Sequence, residues 1–194
     1  MNVFTGLQVI TEPVVEPVAV SEVKEQLRLD GNELDAMISG LITAARMAVE
    51  VLVKRRLITT GLRIGFDRFC PVMQLPYSPV QSVDSIKYTD EMGVVKTLSE
   101  TGYLVDLASD PVRITPAYSV PWPSIRPTVG AVSIEYTAGY GDDATDVPRP
   151  IRQAIISLVI DMFEHPEKST EINLSENRTV GYMLNAYRNC TLVM

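Results

Sequence analysis

The stretch from Val129 to Glu164 constrains the fold most, because it reads as strand, loop and buried helix on physical grounds alone. Val132, Ile134 and Tyr136 alternate with Ser133, Glu135 and Thr137, the two-residue period of a half-buried strand. Ala138-Gly139-Tyr140-Gly141 breaks that period, since two closely spaced glycines favour a turn. Asp142, Asp143, Thr145 and Asp146 make the next loop polar, and Pro148 and Pro150 suit the first turn of a helix. From Ile151 to Phe163 the chain is apolar nearly all round. Gln153, Ser157, Asp161 and Glu164 fall on one thin polar stripe, so this helix must be buried on most sides. Pro166 disfavours helical geometry at His165 and stops it there.

The segments upstream divide into a helical part and a β part. Residues 1–19 contain Thr11-Glu12-Pro13 and Glu16-Pro17 with no helical period and are expected to form an extended arm. Ser21 is a candidate N-cap for a short helix ending near Leu29, and Asp30-Gly31-Asn32 separates it from a second helix over Glu33 to Arg56. There Leu34, Met37, Ile38, Leu41, Ala45, Ala48 and Leu52 repeat at three and four. Asp35, Ser39, Thr43, Arg46, Glu50 and Lys54 mark the other face, with Glu50 and Lys54 ordered as an i,i+4 ion pair. Ile42, Val49, Val51 and Val53 widen the apolar side beyond what one helix covers, which suits a sheet or a neighbouring subunit.

Residues 57–137 carry six short β-prone runs: Thr59–Phe66, Val72–Leu75, Val83–Thr89, Val94–Leu98, Tyr103–Leu107 and Val112–Thr115. Asp90-Glu91-Met92-Gly93 is a hairpin turn between two of them. Pro116, Pro121, Pro123 and Pro127 surround Trp122, which serves either as a lid on the local core or as an interface anchor. The expected class is α+β: two long helices and a short N-terminal one (20–56 and 146–194), with an antiparallel β module and loop (57–145) inserted between them. The C-terminal segment follows a polar stretch, Glu167 to Asn177, and regains apolar anchors at Tyr182, Leu184 and Tyr187. These dock either on their own domain or on a partner.

Charge and composition remove several function classes. The net charge of −7 is spread along the whole chain, so no segment supplies the basic footprint of a phosphate binder. Lys54-Arg55-Arg56 fits the end of a helix, where cations are favoured. Neither a membrane span nor a secretory signal is expected. Cys70 and Cys190 are far apart, without metal-ligand spacing, and read as ordinary reduced thiols. His165 is the single histidine, and its place at a helix end favours capping over catalysis. Gly139-Tyr140-Gly141 lacks the rest of a phosphate-cradling loop. Asp142, Asp143 and Asp146 fit no EF-hand and read as a solvated capping loop, with a bound cation left open. No catalytic, cofactor or metal residue is assigned.

Several pieces in order resemble the head–tail connector (adaptor) proteins of long-tailed bacteriophages. Val20-Ser21-Glu22-Val23-Lys24-Glu25-Gln26-Leu27-Arg28-Leu29-Asp30, with Ile38-Ser39-Gly40-Leu41-Ile42-Thr43-Ala44-Ala45-Arg46, is similar to that family's opening short helix and alanine-rich long helix. Trp122-Pro123, Ala138-Gly139-Tyr140-Gly141, Val147-Pro148 and Leu184-Asn185-Ala186-Tyr187-Arg188 resemble later parts of its longer members. Lys54-Arg55-Arg56-Leu57 and His165-Pro166-Glu167 depart from the usual pattern.

The resemblance implies a structural virion protein forming a ring of roughly a dozen copies beneath the portal. That ring would extend the DNA channel and receive a neck, stopper or tail-completion protein. DNA would pass through it without sequence-specific binding. The protein would lie at the head–tail junction, and in the host cytoplasm during assembly. It also implies portal docking through the C-terminal segment, with Tyr182, Met183, Leu184, Tyr187 and Arg188 as the contact residues. An enzyme of unknown substrate or a non-viral oligomeric scaffold is the alternative.

Overall fold

The computed structural model describes residues 4–165 and 178–188. The polar stretch 167–177, Cys190 and the end of the C-terminal segment lie outside the described residues. Among the described residues the protein is α+β, with four α-helices and two antiparallel sheets. It divides into two compact units. One holds residues 4–12 and Thr59–Gly139, the other Pro13–Ile58 and Tyr140–Arg188.

The β unit contains a five-stranded sheet in the order β1-β2-β8-β4-β5: β1 Phe4–Thr11, β2 Thr60–Phe66, β8 Val132–Ala138, β4 Val80–Thr89 and β5 Val95–Thr97. A three-stranded sheet runs β3-β7-β6: β3 Met73–Leu75, β7 Val112–Pro116 and β6 Tyr103–Asp106. Every neighbouring pair is antiparallel. The alternation at Val132, Ile134 and Tyr136 places all three in the core, beside Leu62, Ile64, Phe66 and Ile86. Met73, Leu75, Tyr103, Val112 and Ile114 of the smaller sheet join the same cluster. The Tyr136 hydroxyl donates to the Pro76 carbonyl at 2.7 Å, so the largest core side chain keeps its polar end satisfied.

The N-terminal segment is extended, as expected, and its first part belongs to a sheet. Over Phe4–Thr11 it is a strand of the larger sheet, paired with β2 from Phe4↔Phe66 to Thr11↔Gly61. Its alternating Leu7, Val9 and Thr11 suit a strand, whereas Pro13 and Pro17 interrupt the residues that follow.

The helical unit comprises α1 Val20–Leu27, α2 Asp35–Val53, α3 Arg149–Glu164 and α4 Arg178–Asn185. Ile38, Ile42, Ala45, Val49 and Val53 of α2 meet Ile151, Ala154, Ile155, Leu158 and Val159 of α3 in one core, which Val180 and Leu184 of α4 complete. Ser21 lies inside α1, whose N-cap is Ala19, so the expected serine cap does not form. Helix α2 ends at Val53, short of the expected Arg56. Lys54 adopts left-handed geometry (φ 54°) and its N–H closes on the Glu50 carbonyl. Pro148 caps α3, and His165 ends it with its N–H on the Asp161 carbonyl at 3.0 Å.

Candidate assembly surfaces

Helix α2 has three faces with different fates. The first is the core face just described. The second carries its only charges between Asp35 and Lys54, and these are buried. Arg46 is 5% exposed and Glu50 1%. Glu50 Oε2 accepts from Arg46 Nη1 at 3.3 Å and Arg56 Nη1 at 2.7 Å, while its Oε1 accepts the Leu57 N–H at 3.1 Å. Arg46 Nε in turn donates to Glu16 Oε2 at 2.7 Å, and the Thr43 hydroxyl donates to Glu16 Oε1 at 2.8 Å. The segment Pro13–Pro17 is thereby strapped along this flank.

The expected Glu50–Lys54 surface pair is replaced by this buried network. Lys54 is the helix cap, and Glu50 bonds the residues that lead the chain out of the helix. A sequence signal existed: from Leu41 to Val53 there are just two charges, of opposite sign and four apart. In so apolar a setting such charges are retained by pairing with each other.

The third face lies opposite the core and is apolar. Met37 is 49% exposed, Met47 56% and Val51 68%. Gly40 lies in the same row, and a Cβ built on it would meet nothing within 4 Å. Glycine within a helix costs about 0.5–1 kcal/mol relative to alanine. Packing inside the subunit gives no reason for it. By length and apolar composition α2 also passes for a membrane-crossing helix, as core helices of water-soluble proteins do. Seven of its residues, Arg46 and Glu50 among them, are buried within the subunit.

The residues expected to dock on a portal separate in the structure. Leu184 is fully buried against the unit's own core, and Met183 and Tyr187 are half-buried on it. Leu184 is therefore corrected from a docking contact to an anchor holding α4 on its own subunit. Tyr182 is 80% exposed, and Arg188 is exposed as well. Arg55 Nε donates to the Tyr187 carbonyl at 2.7 Å, fixing the end of α4 to the α2 exit. That contact gives Arg55 a structural use beyond helix-dipole complementarity.

Trp122 is half-buried in the β unit. Its ring stacks on Phe69 at a centroid distance of 4.7 Å, and its Nε1 donates to the Cys70 carbonyl at 2.8 Å. The indole thus covers its own core while staying partly exposed. Asp146 Oδ2 accepts the Asp143 N–H at 3.0 Å, which ties the acidic loop to itself. Among the described residues no group of three or more His, Cys, Asp or Glu side chains is placed to hold a metal ion.

These features define a class: a protein of a helical unit and a double-sheet unit, whose distinctive surfaces are apolar or aromatic. No family model and no curated protein sequence matches the chain. Solved structures do. The fold superposes on a chain from the neck of the empty GTA particle computed with C6 symmetry, with TM-score 0.76 at 24% identity, covering 95% of this chain and 96% of that one. It matches a chain of the virion of the native gene transfer agent (GTA) particle with TM-score 0.76 at 25% identity, covering 94% and 95%. A chain from the native GTA neck computed with C12 symmetry gives 0.70 at 25% identity, again covering 94% and 95%. Both units are included in such coverage. The resemblance to phage connectors read from the sequence is met by the fold of a phage-like particle's neck chains. Those chains come from the neck and the virion of that particle.

Proposed function

We propose that this protein is a structural component of a virion neck, acting as a head–tail connector. Copies form a ring of about a dozen beneath the portal, extend the channel through which DNA passes, and receive the next neck or tail protein. The observation that carries this is the full-length match to neck chains from particles solved with C6 and C12 symmetry. The charge supports it. A subunit of net charge −7, repeated around a channel, repels DNA phosphates and lets the genome slide without sticking. The protein acts in the virion at the head–tail junction, after assembly in the host cytoplasm.

Portal docking falls to the exposed side of α4 and the residues after it, with Tyr182 and Arg188 as its available anchors. Trp122, partly exposed, offers a second contact point. The test is electron microscopy and native mass measurement of the purified protein, alone and with purified portal. A ring stacked on the portal is expected. A subunit that stays monomeric and leaves the portal unchanged overturns the reading.

A further inference from the structure

Met37, Gly40, Ala44, Met47 and Val51 follow one another at steps of three, four, three and four, so they form one straight row along α2. The row is diametrically opposed to Ile38, Ile42, Ala45, Val49 and Val53, which fill the subunit's own core. A helix on the surface of a finished protein turns a polar face outward. This one turns two methionines and a valine outward, flanking a glycine and an alanine. Its two internal charges, Arg46 and Glu50, are held on the flank by Glu16 and Arg56 and leave the row uncharged. The missing Cβ at Gly40 opens a shallow place between Met37 and Ala44 where another backbone can approach closely. Methionine, flexible and polarisable, adapts to whatever lies against it.

We infer that this row is the surface through which one copy of the chain docks on the next. The inference rests on the ring reading above and names the face that closes it. A second copy is the occupant for two reasons. The neck chains that this fold matches come from particles solved with C6 and C12 symmetry, and in a closed ring each copy touches two others. In a ring of more than two the interface is head-to-tail, so the row of one copy meets a different surface of its neighbour. Secondly, two subunits each carrying −7 repel, and the row is a place where they can meet without juxtaposing like charges.

Two variants of the full chain test this, each analysed by sedimentation with and without purified portal, by thermal melting, and by flotation with phosphatidylcholine vesicles. Gly40→Gln replaces a poor helix former by a good one and fills the close-approach site. Met47→Asp places a charge within the row. Both variants are expected to remain subunit-sized where the wild type forms rings, with self-association weakened at least about tenfold. Gly40→Gln should melt at or above the wild-type temperature. A photo-crosslinker at Met47 should capture a second copy and identify the other side of the contact.

Rings formed normally by both variants overturn the assignment of the row and leave the ring reading standing. A wild type that forms no ring even on portal overturns both. Vesicle binding by the wild type that Met47→Asp abolishes assigns the row to a membrane instead. A lowered melting temperature for Gly40→Gln shows that the glycine serves the subunit's own packing, and that also overturns the inference.

Discussion

The outer face of the five-stranded sheet and the outer face of α2 answer the same problem differently. On the sheet, Glu135 of β8 accepts from Arg63 of β2 at 2.6 Å, from Lys87 of β4 at 3.2 Å and from the Ser85 hydroxyl at 3.1 Å. The Thr137 hydroxyl donates to Asp84 beside it at 2.9 Å. This face is finished within one subunit, its polar groups paired across strands and half open to water. Helix α2 spends its two internal charges sideways, on the buried network around Glu50, and leaves its outward row apolar. A face that completes its polar partnerships at home is built for solvent. A face that keeps none, and carries a glycine its own packing does not use, is built for a partner.

The comparison breaks most visibly at Glu50. If its carboxylate holds the flank together, Glu50→Ala leaves Arg46 and Arg56 without their shared acceptor and the Leu57 N–H unsatisfied. Removing one member of a buried ion network costs about 3–5 kcal/mol. Urea denaturation of the subunit should show a loss of that size. A change below about 1 kcal/mol is what an exposed i,i+4 pair gives, and it would return Glu50 to the surface role its sequence spacing suggests.

Smaller effects separate the two sides of α4. Leu184→Ala empties a fully buried site and should lower subunit stability by about 2–5 kcal/mol. Tyr182→Ala removes an exposed ring. It should leave the melting temperature unchanged while costing about 2 kcal/mol of portal affinity, measured by titration of purified portal. Equal portal affinity for wild type and Tyr182→Ala ends the docking role of α4.

Much of this was legible in the sequence where one period dominates. The strand at Val132–Ala138 and the helix after it stood out because alternation and the apolar run agree with the turn residues between them. The short strands and the 90–93 turn were legible for the same reason, to within a few residues at their ends. The Glu50 network was not, because helical spacing gives a residue's angle around the axis and not what covers that angle. Glu16 reaches Arg46 across thirty positions of sequence, a pairing no local window contains. The outward row of α2 was half legible. Met37 counted towards the core because it is apolar, whereas Val51 was already in excess of what one helix covers. Exposure separates Met37 and Val51 from the subunit's own core.

The smallest expected effect concerns Glu135, and its sign can be worked out. The bonded Arg63 guanidinium holds the Glu135 carboxyl below the usual carboxylate range. Burial pushes part of the way back, and Lys87 and Ser85 add to the lowering. A carboxyl whose pKa is lower folded than unfolded favours the fold wherever the unfolded chain would be ionised. The contribution is complete above the ordinary glutamate pKa of about 4.3. It fades as the pH falls through the lower folded value. Arg63 and Lys87 stay well exposed, so screening keeps the contribution within about 0.2–1 kcal/mol. Denaturant titrations of wild type and Glu135→Gln should therefore differ by that amount at pH 7, and the curves should converge on acidification below pH about 4. High salt should narrow the gap at pH 7 as well, since the partners are open to solvent. Ring formation by Glu135→Gln should match wild type. Loss of assembly in this variant, with α2 intact, would mean that the charged sheet face is the one that meets a partner.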